Sequence, residues 1–196
     1  AFGQPVHVLQ IDAHLDWRED VDGVRRGYSS PLRWASVTPA VAGMTQVGLR
    51  AVGSARRGEV DAARAYGSHF ITAERFHLEG RDAVLATIPE GRAVYLTIDA
   101  DGLDPADMPA VMAPTPGGLR FHQVAPLLRA VARRHRVVGM DLVEVAPSFD
   151  SPNGVTCVAA GRLILNVLAA SWGSDGGCRR SGAPPPAATP PAAAQR

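Results

Sequence analysis

Short apolar runs rich in β-branched residues recur along the chain at Val6–Ile11, 45–49, 94–98 and 137–145, with 69–72 a weaker candidate. Each run is nearly continuous rather than strictly alternating, the pattern of a strand covered on both faces in a parallel sheet. Parallel neighbours can be joined only by a crossover, so helices must lie between them. Helices are predicted over 30–36, 57–66, 81–87 and 122–134, the last with Val124, Leu127, Leu128 and Val131 on one stripe. Thr156 is placed to cap a final helix reaching Ala170. Alternating strands and helices predict an α/β domain over residues 1–172. From Gly173 the chain turns to Gly, Pro and Ala with almost nothing to bury, so 173–196 is predicted to be a disordered tail.

The 196 residues are 46% hydrophobic, enough for one substantial core. Acidic and basic totals of 19 and 20 are interspersed, so neither nucleic acid nor a membrane is expected as a partner. Every basic residue is arginine. Without lysine there is no Schiff-base nucleophile and no phosphate loop of the Gly-Lys-Ser/Thr kind. GC-rich coding bias accounts for the replacement, and the exclusion holds either way. Cys157 and Cys178 match no zinc ribbon or redox pair, which predicts a reducing compartment. No apolar stretch reaches the roughly 20 residues that span a bilayer and no leader-like segment is visible, so a soluble, cytoplasmic protein is expected. The chain opens on Ala1 rather than Met and enters a strand almost at once, which predicts further sequence upstream.

Chemistry concentrates where two strands end. Asp12-Ala13-His14-Leu15-Asp16 follows the first apolar run, and side chains at alternate positions of an extended segment point the same way. Two carboxylates and an imidazole can then converge at the edge where open α/β sheets bind ligands. Oxygen donors with one nitrogen suit manganese, zinc or iron better than calcium. The competing reading is an acidic turn whose aspartates cap the next helix. Thr97-Ile98-Asp99-Ala100-Asp101-Gly102-Leu103-Asp104-Pro105 ends another strand, and alone it reads equally as an Asp-Gly turn closed by Asp-Pro. Together the two motifs bring Asp12, Asp16, Asp99, Asp101 and His14 to one edge, where like charges repel unless cations sit among them. The loop 102–118, with four prolines and the pair Gly117-Gly118, is too long for a plain connection and reads as functional.

With the segments 109–119 and 139–147, the latter reading Gly139-Met140-Asp141-Leu142-Val143-Glu144-Val145-Ala146-Pro147, these motifs resemble the ureohydrolases, the family of arginases and agmatinases. Order and spacing are similar to the agmatinase-like branch, from Val6 to about Ala170. The resemblance implies a three-layer αβα fold with a mostly parallel sheet, lacking here the N-terminal part of the family domain. It implies two Mn2+ ions: Asp12 and Asp99 touching both, Asp16 completing the first site and counted as catalytic, His14 and Asp101 completing the second. It also implies that Glu144 receives the substrate's guanidinium. In the implied reaction a metal-bridging hydroxide attacks the guanidinium carbon of a small agmatine-like compound, releasing urea and an amine. Relatives are commonly homo-oligomers, and the same is expected here.

Three departures qualify the resemblance. Family members carry an upstream Gly-Gly-Asp-His-type segment whose histidine binds the first metal, and nothing before Asp12 supplies it, His7 reading as a structural strand residue. Where many relatives read His-Gly-Ser-Pro, this chain has Gly27-Tyr28-Ser29-Ser30-Pro31, leaving the proton shuttle to the Tyr28 or Ser29 region. Arg120 stands where relatives usually carry a helix-capping Ser or Thr. The missing histidine supports an alternative, a truncated or degenerate member that binds metal or assembles without catalysis. A deacetylase of the same superfamily is disfavoured because no His-His pair occurs. His69, His77, His122 and His135 receive no role; Trp34, Tyr66 and Trp172 read as core or interface aromatics, and Cys157 as a buried structural thiol.

Overall fold

The computed structural model describes residues 3–174. Five strands, β1 (Val6–Ile11), β2 (Val41–Leu49), β3 (His69–Thr72), β4 (Val94–Asp99) and β5 (Val137–Val143), form one parallel sheet in the order β3-β2-β1-β4-β5. The helices are α1 (Pro31–Ser36), α2 (Arg57–Tyr66), α3 (Ala73–Glu79), α4 (Arg81–Leu85), α5 (Phe121–Arg134) and α6 (Val155–Ser174). Alternate residues of each strand serve opposite layers. Leu9, Ile11, Val47, Ile71, Leu96 and Ile98 pack in the larger core with Phe76 of α3 and Leu127, Leu128 and Val131 of α5. On the other face Val8 and Met44 pack with Leu32 of α1, Ala63 of α2 and Trp17. The result is the expected three-layer αβα arrangement. β1 lies at the centre of the sheet, between β2 and β4, so the motifs ending β1 and β4 emerge side by side.

Several boundaries differ from the sequence reading, each for a local reason. β2 starts four residues earlier than 45, because Val41, Ala42 and Gly43 are too small to register as an apolar run although Val41 and Gly43 pair with β1. β5 stops at Val143 rather than 145, since Glu144 turns into the left-handed region at φ 60. α3 was not expected: it follows β3 without a turn, Thr72 ending the strand and also capping the helix through its Oγ1, which accepts from Arg75 N at 3.2 Å. Thr156 is not the cap of α6. Asp150 takes that role, accepting from the N–H groups of Thr156 and Cys157 at 3.1 and 3.0 Å, while the Thr156 hydroxyl accepts from Ala110 N at 3.0 Å. Arg120 loses nothing as a start for α5, because Asp107 accepts from Phe121 N and pairs with the Arg120 guanidinium, and Gln123 accepts from Arg120 N.

α6 continues through Gly173 and Ser174, two residues assigned by composition to the tail; residues 175–196, the remainder of that tail, lie outside the described residues, as does Cys178. By length and composition Val155–Trp172 is apolar enough to cross a membrane, although the sequence reading, interrupted by Arg162 and Asn166, found no such stretch. One stripe of α6, Ala160, Leu163, Val167 and Ala170, packs in the core, whereas Val158, Leu165, Leu168 and Trp172 are exposed. Trp172 is therefore not a core residue of this chain. Cys157 is exposed rather than buried, and its bond to the Asp150 carboxylate pushes the thiol up, opposite to the helix-terminus effect.

Candidate metal centre and active-site cavity

The site is assembled by backbone contact between the two strand-end motifs. Gly102 lies so close to β1 that a Cβ there would stand 2.7 Å from Asp12 N and 2.9 Å from the Ile11 carbonyl carbon, which only glycine permits. Asp101 Oδ1 then accepts from Ala13 N at 3.2 Å, locking one motif onto the other. Within each motif the carboxylates hold the backbone turn: Asp12 Oδ1 accepts from His14 N at 2.6 Å, and Asp99 Oδ1 from Asp101 N at 2.8 Å.

His14 Nδ1 lies 3.0 Å from Asp101 Oδ2 and 3.4 Å from Asp12 Oδ1. Asp12, His14 and Asp101 each offer a ligand atom, all within 4.8 Å of one another, and among the described residues they are the one such group. Asp16 and Asp99 stand outside that trio yet line the same cavity with His14 and Asp101. Glu144 reaches it from the end of β5, exposed at the rim. Asp16 and Glu144 both hold left-handed backbones, at φ 53 and 60, a conformation that costs a non-glycine residue roughly 1 kcal/mol and clusters at functional positions. The carbonyl of Asp16 accepts from Arg33 N, and Val145 bridges to Val111, so neighbouring contacts hold each turn.

Electrostatically the cluster sets four carboxyl groups against one imidazole. Burial, then the facing Asp12 and Asp101 carboxylates, push Asp99 up to about 9. Burial, then Asp12, pushes Asp16 up to about 8. Burial raises Asp12 to about 6 against the pull of His14. Burial is the largest single influence on Asp101 and works to raise it, but the bond and attraction to His14 together with the Ala13 N–H and Asp99 hold the carboxyl below the usual range. His14 is pushed up to about 10 by its bonds to Asp101 and Asp12. A cation among these groups would relieve the repulsion that otherwise keeps protons on them. The donors are carboxylate oxygens and an imidazole nitrogen, and this set fits a divalent cation of the Mn2+ kind.

The cavity holds about 660 Å³, with apolar wall from Leu15, Trp17, Met112 and Ala113 and an outer rim carrying Tyr28 and Ser29. Tyr28 is 84% exposed. The other histidines are elsewhere. His7 faces the opposite side of β1 from Asp12, bonded to Thr45 Oγ1 at 2.8 Å, and burial, then His69 and His135, lower it to about 4. Trp34 lies beneath the guanidinium groups of Arg25 and Arg26, and Tyr66 packs against Trp17 at 5.7 Å.

Two supports escaped the sequence reading. Arg50, just after β2, donates to the carbonyls of Gly48, Asp101, Gly102, Leu103, Thr115 and Pro116, fastening the loop 102–118 beneath the site. Gln10 Nε2 donates to Asp12 Oδ2 at 2.6 Å from the same face of β1. A glutamine inside an apolar strand, two residues before a candidate ligand, was the available signal.

A parallel sheet that gathers carboxylates and an imidazole at adjacent strand ends, beside a cavity, defines an α/β protein with a candidate metal-binding edge. More specifically, the Arginase family model matches residues 1–170, and the chain belongs to that family. It is 39% identical over 169 residues to the N(1)-aminopropylagmatine ureohydrolase of Thermus thermophilus, covering 84% of this chain and 55% of that protein. The agmatinase of Halalkalibacterium halodurans is 32% identical over 164 residues, 82% of this chain and 54% of its own. The structure of proclavaminate amidinohydrolase from Streptomyces clavuligerus superposes with a TM-score of 0.79 at 30% identity, covering 87% of this chain and 57% of that one. The chain thus spans about half the length of the curated relatives it matches.

Proposed function

We propose that the protein is a manganese-dependent amidinohydrolase that cleaves a small linear guanidino compound of the agmatine kind to urea and an amine. The observation that carries this reading is the single cavity shared by Glu144 and the carboxylate–imidazole cluster. Asp12, His14, Asp16, Asp99 and Asp101 would hold two Mn2+ ions in the complete site, and when bound these ions supply Lewis-acid activation of water. Glu144 pairs with the planar guanidinium, a match of fork to carboxylate that can be bidentate. That contact places the guanidinium carbon over the cluster. Leu15, Trp17, Met112 and Ala113 then take the methylene chain and keep water from it. Transfer of a proton to the leaving amine falls to the hydroxyl-bearing rim at Tyr28 and Ser29.

The test is urea release from agmatine, 4-guanidinobutyrate and arginine in the presence of Mn2+, with bound metal measured alongside. Glu144→Gln is expected to lose about 2 kcal/mol of transition-state binding, roughly thirtyfold in kcat/KM, with its metal retained. Parent-like rates would remove Glu144 from the guanidinium role. A second reading, metal binding without turnover, is favoured by His14 being the one imidazole in the cluster among the described residues. Its signature is bound Mn2+ with no urea from any of the three compounds.

A further inference from the structure

A line of buried polar side chains leads away from Asp12 beneath the cavity. Ser68 Oγ donates to Gln46 Oε1 at 2.9 Å; Gln46 Nε2 donates to Gln10 Oε1 at 2.6 Å and to the Leu15 carbonyl at 2.8 Å; Gln10 Nε2 donates to Asp12 Oδ2 at 2.6 Å. Gln10 and Gln46 are partners across β1 and β2, so both side chains stand on the Asp12 face of the sheet. They are 2% and 0% exposed, within the layer that buries Val8, Met44 and Trp17. Two amides in that layer would be costly if any polar atom went unpaired, and apolar residues could fill the same space.

The direction of the line is dictated from both ends. A carboxylate and a peptide carbonyl only accept, so Gln10 must present its NH2 to Asp12 and Gln46 its NH2 to Leu15. Gln10 therefore turns its Oε1 to Gln46, and Gln46 turns its Oε1 to the Ser68 hydroxyl. With Oδ2 held by Gln10 and Oδ1 by His14 N, the Asp12 carboxylate has a single orientation. The Leu15 carbonyl sits between His14 and Asp16, so Gln46 grips the motif at a second point.

We infer that Gln10, Gln46 and Ser68 are positioning residues that hold the Asp12 carboxylate and the His14–Asp16 turn in the orientation a divalent cation needs. The inference rests on the cation-binding reading of Asp12, His14 and Asp101. Partners that orient metal ligands are typically worth 10–100-fold in metal affinity.

The test is Mn2+ binding by equilibrium dialysis on the full chain carrying Gln10→Met, Gln46→Met, both together, or Ser68→Ala, with the metal-free melting temperature recorded for each. Methionine keeps the volume and removes the amide. Gln10→Met and Gln46→Met should each weaken Mn2+ binding about tenfold or more. The double variant should lose less than the product of the two, because Gln46 acts partly through Gln10. Ser68→Ala should weaken binding less than Gln46→Met, and affinity should not track melting temperature across the set. Parent-like affinity in both single variants, with only the melting temperatures altered, makes the line a packing feature and overturns the inference, as does a double variant whose losses multiply in full. If a methionine variant does not fold, Ser68→Ala decides, since it keeps both amides; unchanged affinity there overturns the inference. A parent chain that binds no Mn2+ overturns this inference together with the cation-binding reading, whereas a parent that binds, with variants that match it, overturns this one alone.

Discussion

Replacing Arg50 with methionine should be among the most damaging single changes outside the apolar core. Its guanidinium donates to six carbonyls, the two shortest contacts being 2.6 Å to Asp101 O and 2.6 Å to Thr115 O. A hydrogen bond to a charged group contributes about 1.5–3 kcal/mol, so these two account for about 3–6 kcal/mol. The longer contacts share the remaining N–H groups of a half-buried side chain, and water replaces them in part. Against this, the variant is relieved of up to about 2 kcal/mol of side-chain ordering. The net loss expected for Arg50→Met is about 3 kcal/mol. Urea denaturation followed by circular dichroism should show a midpoint lowered by about 1.5 M at a slope near 2 kcal/mol per molar. Arg50→Lys, which keeps the charge but not the planar fork, should recover less than half of that. Because the Asp101 carbonyl is released, Mn2+ binding should weaken as well, although Arg50 is not a ligand. A midpoint within about 0.3 M of the parent would refute the reasoning, since the six carbonyls would then be satisfied without the guanidinium.

Two further outcomes follow from the cluster. Asp99→Asn should reduce Mn2+ affinity more than Asp16→Asn, because Asp99 is proposed to touch both ions and its Oδ1 also holds the Asp101 turn; equal losses in dialysis would undercut that assignment. Without metal, stability should fall as pH rises from about 6 to 9. Asp12, Asp16 and Asp99 have raised values, so the folded chain binds more protons than the unfolded one across this range, and His14, raised to about 10, contributes stability that is full below its ordinary value and is lost as pH climbs. Saturating Mn2+ should therefore raise the melting temperature more at pH 8.5 than at pH 6, and an equal or reversed difference would contradict the charge balance described for the site.

Much of the architecture is written locally. β1 and α2 fall where apolar runs and helical spacing place them, because one strand is buried on both faces and the other element carries a clear polar–apolar division. The meeting of Asp12 and His14 with Asp101 follows from the placement of both motifs at strand ends once β1 and β4 are neighbours, whereas Asp16, expected beside them by period two, stands outside the trio on a left-handed backbone. What escaped depends on distant register. Gln46 matters only because β2 pairs with β1 so as to bring it beside Gln10, and Arg50 only because the carbonyls of residues 101–103 and 115–116 fold against it. The Thr156 hydroxyl looked like a cap and instead serves Ala110, a partner 46 residues away that no local pattern reveals. The exposed apolar stripe of α6 likewise depends on which side of the helix meets α5.

The most direct test of the cation-binding edge is equilibrium dialysis of the chain against Mn2+, followed by elemental analysis, beside an Asp12→Asn/Asp101→Asn double variant shown by circular dichroism to be folded. The account predicts a parent stoichiometry nearer one tightly held ion than two, because Asp12, His14 and Asp101 converge while the histidine expected at the first site is not supplied by the described residues. The double variant should hold none. A parent that binds no Mn2+, or a double variant that binds as much as the parent, would contradict it.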